Sequence, residues 1–468
     1  MRAIDCAIIR PLLVVCTLVS FGNSQPRETR TATPKVDKSG PSLTFDFPAM
    51  RVGVAEYDEG PTGTTVFYFP NGVKGAVDMR GGSPGELNAE ILQNAYESRM
   101  VQAVVFSGGS WYGLSAATGV ANGIKKMRAA EGNVDFIAGV LGAIIYDVGG
   151  RRLSRVTPDD ILGEAALKSS EPGWFPLGAR GAGRFAMQGV YFSRGQDAAN
   201  YVDWPHSGQG GAFRTIGPTK IGVFTVVNAL GAVVDRTGRM VRCGRNDAGQ
   251  TCPLIADKIR NFPPTRHAPA ETGGPTANTT ITLVVTNQKL PFWALQRLAT
   301  QVHSSMARAI QPFATSQDGD ILYAVTTDEV ENPALRATDL SVIASELAWD
   351  AVLASVPVIP ERPRPMTTKP SLDGLRKYAG TYEFDGGGRL VVSAVDGSLT
   401  ARFDGNGRIY FDKDQTYAVT PAENGRFIIE SPGREVLRFD ETSGRVTGLT
   451  LNPGPWAFTA VVVRRQVS

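Results

Sequence analysis

A proline-rich segment late in the chain separates two sequence patterns that do not suit one common core. Residues 357–370 read PVIPERPRPMTTKP and contain five prolines, a composition typical of a stiff linker. From residue 46 to residue 356, short apolar runs alternate with runs of helical periodicity. Residues 371–468 are instead short β-forming runs between DG, NG, PG and SG turns. A length of 468 residues also exceeds one ordinary core, so the sequence predicts separate domains on the two sides of the linker.

The C-terminal part, residues 371–468, is predicted to be an antiparallel β-domain. Its apolar runs would give about seven or eight strands in a small barrel or sandwich. They read LVVSAV, SLTARF, RIYF, RFIIE, VLRFD, VTGLTL and FTAVVVRR. This part resembles the lipocalin-like β-domain often appended to secreted serine hydrolases, and the resemblance rests on pattern more than on motif.

The N-terminus has the parts of a secretory signal. Residues 1–24 combine two arginines, the apolar stretch PLLVVCTLVSFG and small residues for cleavage near Ser24. The apolar stretch is too short to span a bilayer. We therefore expect an exported, soluble chain, periplasmic or extracellular, with a retained N-terminal anchor as the alternative. Residues 25–45 are polar and are expected to form a flexible lead.

Charge and histidine content exclude several classes of function. The net charge of +3 comes from 48 basic and 45 acidic residues that are mixed along the chain. This mixture provides no footprint for nucleic acid or for an anionic membrane surface. No metal-ligand spacing surrounds any of the three histidines, which are His206, His267 and His303. No metal and no cofactor are therefore expected.

The cysteines favour one disulfide in the exported chain. Cys6 and Cys16 lie in the predicted signal and would be removed with it. Cys243 and Cys252 remain, nine positions apart in the polar stretch RCGRNDAGQTC. In an oxidising compartment such a pair is expected to form a local disulfide.

A glycine turn at residues 107–113, SGGSWYG, invites comparison with a nucleophile elbow. It follows the apolar run AVVF and precedes a helical pattern, which would place Ser110 on a strand-to-helix turn. The elbow motif needs glycine two places after the serine, where this chain has Tyr112, and no histidine has a triad context. A hydrolase centred on Ser110 is the alternative among enzymes.

The stretch 273–287, GGPTANTTITLVVTN, changes abruptly from loop to strand composition at Asn278-Thr279-Thr280. Read locally, it is a plain boundary between a loop and a strand. A hydroxyl nucleophile without a histidine can, however, use its own α-amine as the base when it is the first residue of a chain. That chemistry requires cleavage before the residue, and an exposed segment followed by a rigid strand suits such cleavage.

Four further polar residues have ordinary local interpretations. Asp318 and Asp320 flank a glycine, which indicates a tight turn before a strand. Asn228 ends a buried run, so its amide is either satisfied locally or directed at a cavity. Tyr146 ends another apolar run and would ordinarily be a core aromatic.

Taken together, residues 46–330 resemble the self-processing D-aminopeptidase/β-peptidyl aminopeptidase family (DmpA type), which includes the nylon-oligomer hydrolases. The matching stretches come in the family's order: RVGVAEYDEGPTGTTV, VDMRGGSPGELNAEIL, VFSGGSWYGLSAATGV, IIYDVGG, VVNALG and NTTITLVVTNQKL with its continuation to ILYAVTT. The resemblance implies an α+β fold, a four-layer αββα sandwich. It also implies cleavage into two associated fragments, here residues 25–278 and 279–468.

Matched by position, the resemblance also implies a set of site residues. Thr279 corresponds to the nucleophile and Asn278–Thr279 to the processed bond. Asn228 and Tyr146 correspond to residues that stabilise the oxyanion. The pair that holds and polarises the nucleophile's amine and hydroxyl corresponds to Asp318 and Asp320. Two aspartates at these positions resemble the nylon-hydrolase branch, because the serine-type members carry Ser and Glu there.

The chain departs from the family pattern in two places. The nylon-hydrolase branch has a lysine before the asparagine strand, and the aligned position here falls near Asn200 with no lysine. Trp111 and Tyr112 replace smaller residues after the glycine turn. Because the lysine is missing, we expect the cleft near Asn200, and with it the choice of substrate, to differ from that branch.

The expected function is release of N-terminal L-, D- or β-amino acids from short peptides or amides, through an acyl-enzyme on Thr279. A homo-oligomer without nucleic acid or membrane partners is expected. The alternative from another class is a secreted, degenerate member that binds small ligands through its β-domain.

Overall fold

The computed structural model describes most of the chain beyond the predicted signal. The described residues are 32–148, 154–193, 206–243, 251–261, 278–356, 358, 363–367, 371–405, 411, 414–431, 435–452 and 461–466. The predictions for residues 1–24, Asn200 and His267 lie outside them. Thr33–Ser468 form one compact unit. In the described residues, no helix is long and apolar enough to cross a membrane.

The chain before the proline-rich segment folds into strands and helices in alternation. The strands are β1 (Ser42–Thr44), β2 (Arg51–Tyr57), β3 (Thr62–Met79), β4 (Glu86–Leu87), β5 (Val101–Ser107), β6 (Val140–Ile144), β7 (Glu171–Pro172), β8 (Trp174–Pro176), β9 (Gln209–Ile216), β10 (Thr219–Asn228), β11 (Ala232–Val233), β12 (Thr279–Gln288), β13 (Ile310–Gln311) and β14 (Ile321–Val330). The α-helices are α1 (Ser115–Ala130), α2 (Asp160–Lys168), α3 (Ile255–Arg260), α4 (Phe292–Ser305) and α5 (Ala337–Ala354).

The long strand β3 belongs to two sheets. Its first half pairs with β2 and β5 in a sheet of order β7-β2-β3-β5-β6-β4, and its second half pairs with β14 in a sheet of order β3-β14-β12-β10-β9. The strand changes sheets at Pro70-Asn71-Gly72, where the pairing with β5 shifts register. Gly72 has φ +67°, and a Cβ there would lie 2.2 Å from the Arg99 carbonyl oxygen. Only glycine fits this corner without strain.

The two sheets stack face to face, and helices cover their outer faces. Side chains from both sheets, among them Phe67, Phe106 and Phe224, form the apolar core between the sheets. Helices α1 and α2 pack on the first sheet, and α4 and α5 pack on the second. Strands buried on both faces explain why the sequence shows continuous apolar runs here. The predicted αββα sandwich is confirmed.

The chain after the proline-rich segment forms a closed antiparallel barrel. Its elements are α6 (Leu372–Arg376), β15 (Gly380–Glu383), β16 (Arg389–Val395), β17 (Ser398–Asp404), β18 (Thr416–Ala422), β19 (Arg426–Ile429), β20 (Val436–Thr442), β21 (Arg445–Leu451) and β22 (Val461–Arg465). In the described part of the barrel, large side chains such as Tyr382, Phe384 and Phe439 fill the interior. The predicted antiparallel β-domain is confirmed, while the lipocalin-like ligand-binding role stays a prediction.

Gly72→Ala tests the corner of β3. We expect it to lower the thermal midpoint of unfolding more than Gly132→Ala, because the new methyl group meets a backbone carbonyl that cannot move aside. The methyl group at residue 72 is expected to lower the free energy of unfolding by about 1–3 kcal/mol more than the one at residue 132, the usual cost of overpacking. Gly132 is the matched control, since it has φ +88° and nothing within 4 Å of its Cβ position. Equal midpoints for the two variants would contradict this account of the corner.

Candidate active site

Three strands of the second sheet bring most of the predicted site residues to one edge. β12 runs parallel to β14, so the starts of both strands lie at the same edge. β10 runs antiparallel to β12 and ends there, with Asn228 directly opposite Thr279. Just before the two parallel strands, Asn278 forms a parallel bridge with Asp318. Strand direction alone therefore brings together residues that lie far apart in the sequence.

The Asn278–Thr279 peptide is buried and is contacted from two sides. Asn278 and Thr279 are each 3% exposed. The Thr279 hydroxyl donates a hydrogen bond to the carbonyl oxygen of Asn278. The same oxygen accepts a hydrogen bond from the Gly319 N–H at 3.0 Å. The hydroxyl thus lies against the carbonyl of the preceding residue, and a backbone donor polarises that carbonyl.

Gly319 fits this position because it has no side chain. A Cβ at residue 319 would lie 2.5 Å from the Ser83 carbonyl oxygen and 2.9 Å from the Thr279 Oγ1. The contact between Gly319 and Asn278 is not predictable from the sequence. The Asp-Gly-Asp pattern indicated a tight turn, but nothing in it identified the partner of the N–H group.

Asp318 holds two loops together through its carboxylate. Oδ1 accepts a hydrogen bond from the Leu230 N–H at 3.1 Å, just after the end of β10. Oδ2 accepts from the Thr315 N–H at 3.2 Å and from the Thr315 hydroxyl at 2.6 Å. Burial raises the pKa of Asp318 above its ordinary value, and these hydrogen bonds oppose that rise.

Asp320 lies deeper, on the other side of Gly319. Its carboxylate accepts hydrogen bonds from the Thr280 N–H in β12 and from the Ala314 N–H, the latter at 3.0 Å. Burial, and next the nearby charge of Asp318, raise the pKa of Asp320 well above its ordinary value. Two carboxyl groups so close together in a buried place favour retention of a proton.

Asn228 is fully buried, and both ends of its amide are hydrogen-bonded. Its Oδ1 accepts from the Met187 N–H at 3.1 Å, and its Nδ2 donates to the Tyr146 carbonyl oxygen at 3.1 Å. An amide nitrogen carries two N–H groups, so this bond orients the amide and is compatible with donation to a second acceptor. Tyr146 therefore meets the site through its backbone, and its side chain is partly buried. Met187 was missed from the sequence because its contribution is a main-chain N–H.

The glycine turn at Ser110 packs beside Tyr146. The Ser110 N–H donates to the Ile145 carbonyl at 2.9 Å, and the Gly109 N–H donates to the Asp147 carboxylate at 2.6 Å. Ser110 has a left-handed conformation with φ +54°. The next two residues, Trp111 and Tyr112, are 57% and 74% exposed.

No described histidine supports Ser110 as a nucleophile. His303 Nδ1 is hydrogen-bonded to Asp78 at 2.8 Å, and His206 packs edge-on against Phe185. Among the described residues, no group of three or more His, Cys, Asp or Glu is arranged to hold a metal ion. Cys243 and Cys252 are joined by a disulfide, with their Cα atoms 5.7 Å apart.

The fold brings these polar groups together at the ends of β10, β12 and β14 as a candidate site, and comparison with known proteins supplies the family. Peptidase family S58 matches residues 42–361. The chain is 41% identical over 326 residues to a 6-aminohexanoate-oligomer endohydrolase of Paenarthrobacter ureafaciens, covering 66% of this chain and 85% of that protein. An uncharacterized aminopeptidase of Mycobacterium leprae is 34% identical, covering 60% of this chain and 75% of that protein. The chain belongs to peptidase family S58, and it is an amide-cleaving enzyme.

A solved structure adds little to this assignment. A β-aminopeptidase of a Burkholderia species covers 75% of this chain and 92% of its own, with 15% identity and a TM-score of 0.46. The family assignment rests on the sequence matches. The matched region ends at residue 361, so the barrel lies beyond it.

Asp320→Asn tests the buried carboxyl pair. The parent chain for this test is Thr279→Ala, which lacks the hydroxyl beside the Asn278 carbonyl, and Asp320→Asn is added to it. A raised folded-state pKa contributes stability below the unfolded value of about 4, and this contribution is lost as pH rises through the folded pKa. Asparagine does not titrate. We therefore expect the thermal midpoint of the parent to fall relative to that of Asp320→Asn as the pH rises above about 4.

Asp339→Asn is the control for this pH series. A side-chain hydrogen bond from Arg336 lowers the pKa of Asp339, so its contribution is instead lost as the pH falls. Parallel pH curves for the parent and Asp320→Asn would contradict a raised pKa at Asp320.

Proposed function

We propose that the chain is a self-processing amidohydrolase in which Thr279 is the nucleophile and Asn278–Thr279 is the bond that is cleaved. The observation that carries this proposal is the contact of the Thr279 hydroxyl with the Asn278 carbonyl, which also accepts the Gly319 N–H. This contact holds the hydroxyl beside the carbonyl group that it would attack, which reduces the entropic cost of bringing the two together.

In the first stage the chain cleaves itself. Thr279 Oγ attacks the Asn278 carbonyl carbon, and the Gly319 N–H stabilises the negative charge that develops on the oxygen. The C–N bond then breaks and the nitrogen takes a proton, which leaves Asn278 esterified to Thr279 Oγ. Water hydrolyses this ester. The products are a carboxylate on Asn278 and a free α-amine and hydroxyl on Thr279.

In the second stage the new terminus acts on external amides. The α-amine of Thr279 accepts the hydroxyl proton while Oγ attacks the substrate carbonyl. The amide C–N bond then breaks, the leaving amine takes that proton from the α-ammonium, and water hydrolyses the acyl-enzyme. An α-amine has an ordinary pKa of about 8, which suits a general base near neutral pH. The Asn228 amide N–H and the Tyr146 side-chain hydroxyl are assigned to the oxyanion, a role that contributes about 3 kcal/mol per donor in comparable sites.

Asp318 and Asp320 are assigned to the new terminus. Both carboxyl groups have raised pKa values in the uncut chain because of burial. An α-ammonium formed beside them supplies the opposite charge that they lack, and their ionised form is then favoured. The pair would orient the amine toward the hydroxyl and supply a proton relay during acyl transfer.

The sheet pairing supports continued association of the two fragments. β12 and β14 belong to the second fragment and lie side by side in the second sheet. The first fragment flanks them on both sides, with β10 next to β12 and β3 next to β14. Separation would break both ladders, so residues 25–278 and 279–468 are expected to remain together.

The proposed substrates are short peptides and amides, from which the enzyme releases the N-terminal residue. Relatives named as aminopeptidases and as 6-aminohexanoate-oligomer endohydrolases support both substrate groups. Export is also proposed, and the Cys243–Cys252 disulfide supports an oxidising compartment. A homo-oligomer remains part of the proposal.

Thr279→Ala tests the nucleophile. Wild-type protein should give two bands on denaturing electrophoresis, the second beginning TTITLVV and the first beginning near residue 25. Thr279→Ala should stay uncut and inactive on aminoacyl anilides and on 6-aminohexanoate oligomers, while Thr279→Ser should keep a hydroxyl and be cut. Ser110→Ala tests the rival enzyme, because a Ser110-centred hydrolase predicts an uncut wild-type chain that loses its activity in this variant. A wild-type chain that never cleaves would overturn the proposal.

Gly319→Ala tests the backbone donor. We expect slower self-cleavage, by about tenfold or more, because the methyl group displaces the Thr279 hydroxyl and the loop that donates to Asn278. The measurement is the half-time of conversion from one band to two. Gly132→Ala again serves as the control, with nothing near its Cβ position. Unchanged processing in Gly319→Ala would exclude this N–H from the reaction.

A further inference from the structure

The apolar core of the barrel extends into the hydrolase part of the chain. Phe185 and Met187 belong to the same buried cluster as the barrel residues Tyr382 and Phe384, and Val190 packs against it. Phe185 and Met187 are almost completely buried, at 0% and 1% exposure. Both residues lie far outside residues 371–468, so the barrel interior is completed by a segment of the hydrolase.

The main chain of that segment contacts the candidate active site. The segment comprises residues 185–191, and we call it the bridging segment. The Met187 N–H donates to Asn228 Oδ1 at 3.1 Å. Further along, the Gly189 N–H donates to the Gly231 carbonyl at 2.7 Å, and the Tyr191 N–H donates to the Leu230 carbonyl at 2.9 Å. Because Leu230 in turn donates to Asp318, the bridging segment borders two groups of the site.

A second, smaller contact joins the barrel to the other side of the site. Asp385, in the turn between β15 and β16, accepts a hydrogen bond from the Arg155 N–H at 3.4 Å. Pro158, three residues on, packs against Gly109, where a Cβ would lie 2.6 Å from its Cδ. The barrel therefore contacts the segments that support both Asn228 and the Ser110 turn.

We propose that the barrel is a structural part of the active site: through Phe185 and Met187 it holds the bridging segment that orients the Asn228 amide. This rests on the proposed oxyanion role of Asn228. The torsion that directs a side-chain amide is broad, so its hydrogen bonds decide where its N–H groups point. Met187 fixes the oxygen end of the amide, and Met187 is itself held by the barrel core.

Phe185 and Met187 are accordingly positioning residues, and the barrel has a role in catalysis without binding substrate. This assignment predicts a loss in turnover with little change in substrate affinity, because a tilted Asn228 amide weakens stabilisation of the oxyanion and leaves the ground-state complex unaltered. A ligand-binding role for the barrel predicts no such change.

The test uses full-length Phe185→Ala, Phe185→Leu and the barrel-side variant Phe384→Ala. We expect Phe185→Ala to lower kcat by about tenfold with KM nearly unchanged, less than the about 100-fold or greater loss typical of removing an oxyanion donor. Phe185→Leu should recover most of the activity, since it refills the same space. Phe384→Ala should lower kcat in the same direction from the barrel side.

Phe69→Ala is the size-matched control. Phe69 is equally buried but lies beside the Pro70–Gly72 corner of β3, at the end of the sheets away from Thr279. It should lose stability and keep kcat. An unchanged kcat in Phe185→Ala, or an equal loss in Phe69→Ala, would overturn the inference. If Phe185→Ala does not fold, Met187→Ala and Phe384→Ala give the same comparison.

Failure of this inference is distinguishable from failure of the proposed function. A cut and active Thr279→Ala would reject the nucleophile, whatever the Phe185 variants do. An uncut, inactive Thr279→Ala together with unchanged kcat in Phe185→Ala and Phe384→Ala would reject only the positioning role of the barrel.

Discussion

The parallel pairing of β12 with β14 is the constraint on which the site depends. It aligns the starts of two strands, so that the Asn278–Thr279 peptide lies beside the Asp318-Gly319-Asp320 turn. A buried peptide must satisfy its polar groups, and here the Asn278 carbonyl is satisfied by Gly319 and by the adjacent hydroxyl. The hydrogen bonds that satisfy the Asn278 carbonyl therefore also hold the Thr279 hydroxyl, the proposed nucleophile, against it. No other element of the structure is needed to bring the Thr279 hydroxyl and the Asn278 carbonyl together.

The buried carboxyl pair fits the same reasoning. Two aspartates in one buried turn are costly when ionised, and the raised pKa values of Asp318 and Asp320 express that cost. Backbone N–H groups and the Thr315 hydroxyl offset part of it. In the proposed mechanism, cleavage creates an α-ammonium beside the two aspartates. Its positive charge offsets more of the cost of ionising them. In this mechanism the ionised aspartates of the turn lack a nearby positive charge in the uncut chain and gain one in the cut chain.

The sequence predicted the architecture better than the contacts within the site. Apolar runs located β5, β10 and β12, because strands buried on both faces leave a continuous pattern. The candidates Thr279, Asn228 and Asp318 came from a family resemblance, and β-sheet register then brings them to one edge. The roles of Gly319 and Met187 were not predictable, since each acts through a main-chain N–H whose partner is distant in sequence. The same holds for Phe185, whose apolar neighbours include residues of the barrel, far away in the sequence.

Burial explains why self-cleavage would have to precede activity on other molecules. In the uncut chain Thr279 is 3% exposed and its hydroxyl is engaged with Asn278, so an external amide cannot reach it. The proposed cleavage would release the chain on the Asn278 side, while the two flanking ladders would keep Thr279 at the start of β12. Movement of the new Asn278 terminus would uncover the nucleophile without moving it. Thr279 must stay in place while the neighbouring terminus moves. The start of a paired β-strand, beside the bridging segment that the barrel is proposed to hold, meets this requirement better than a mobile loop would.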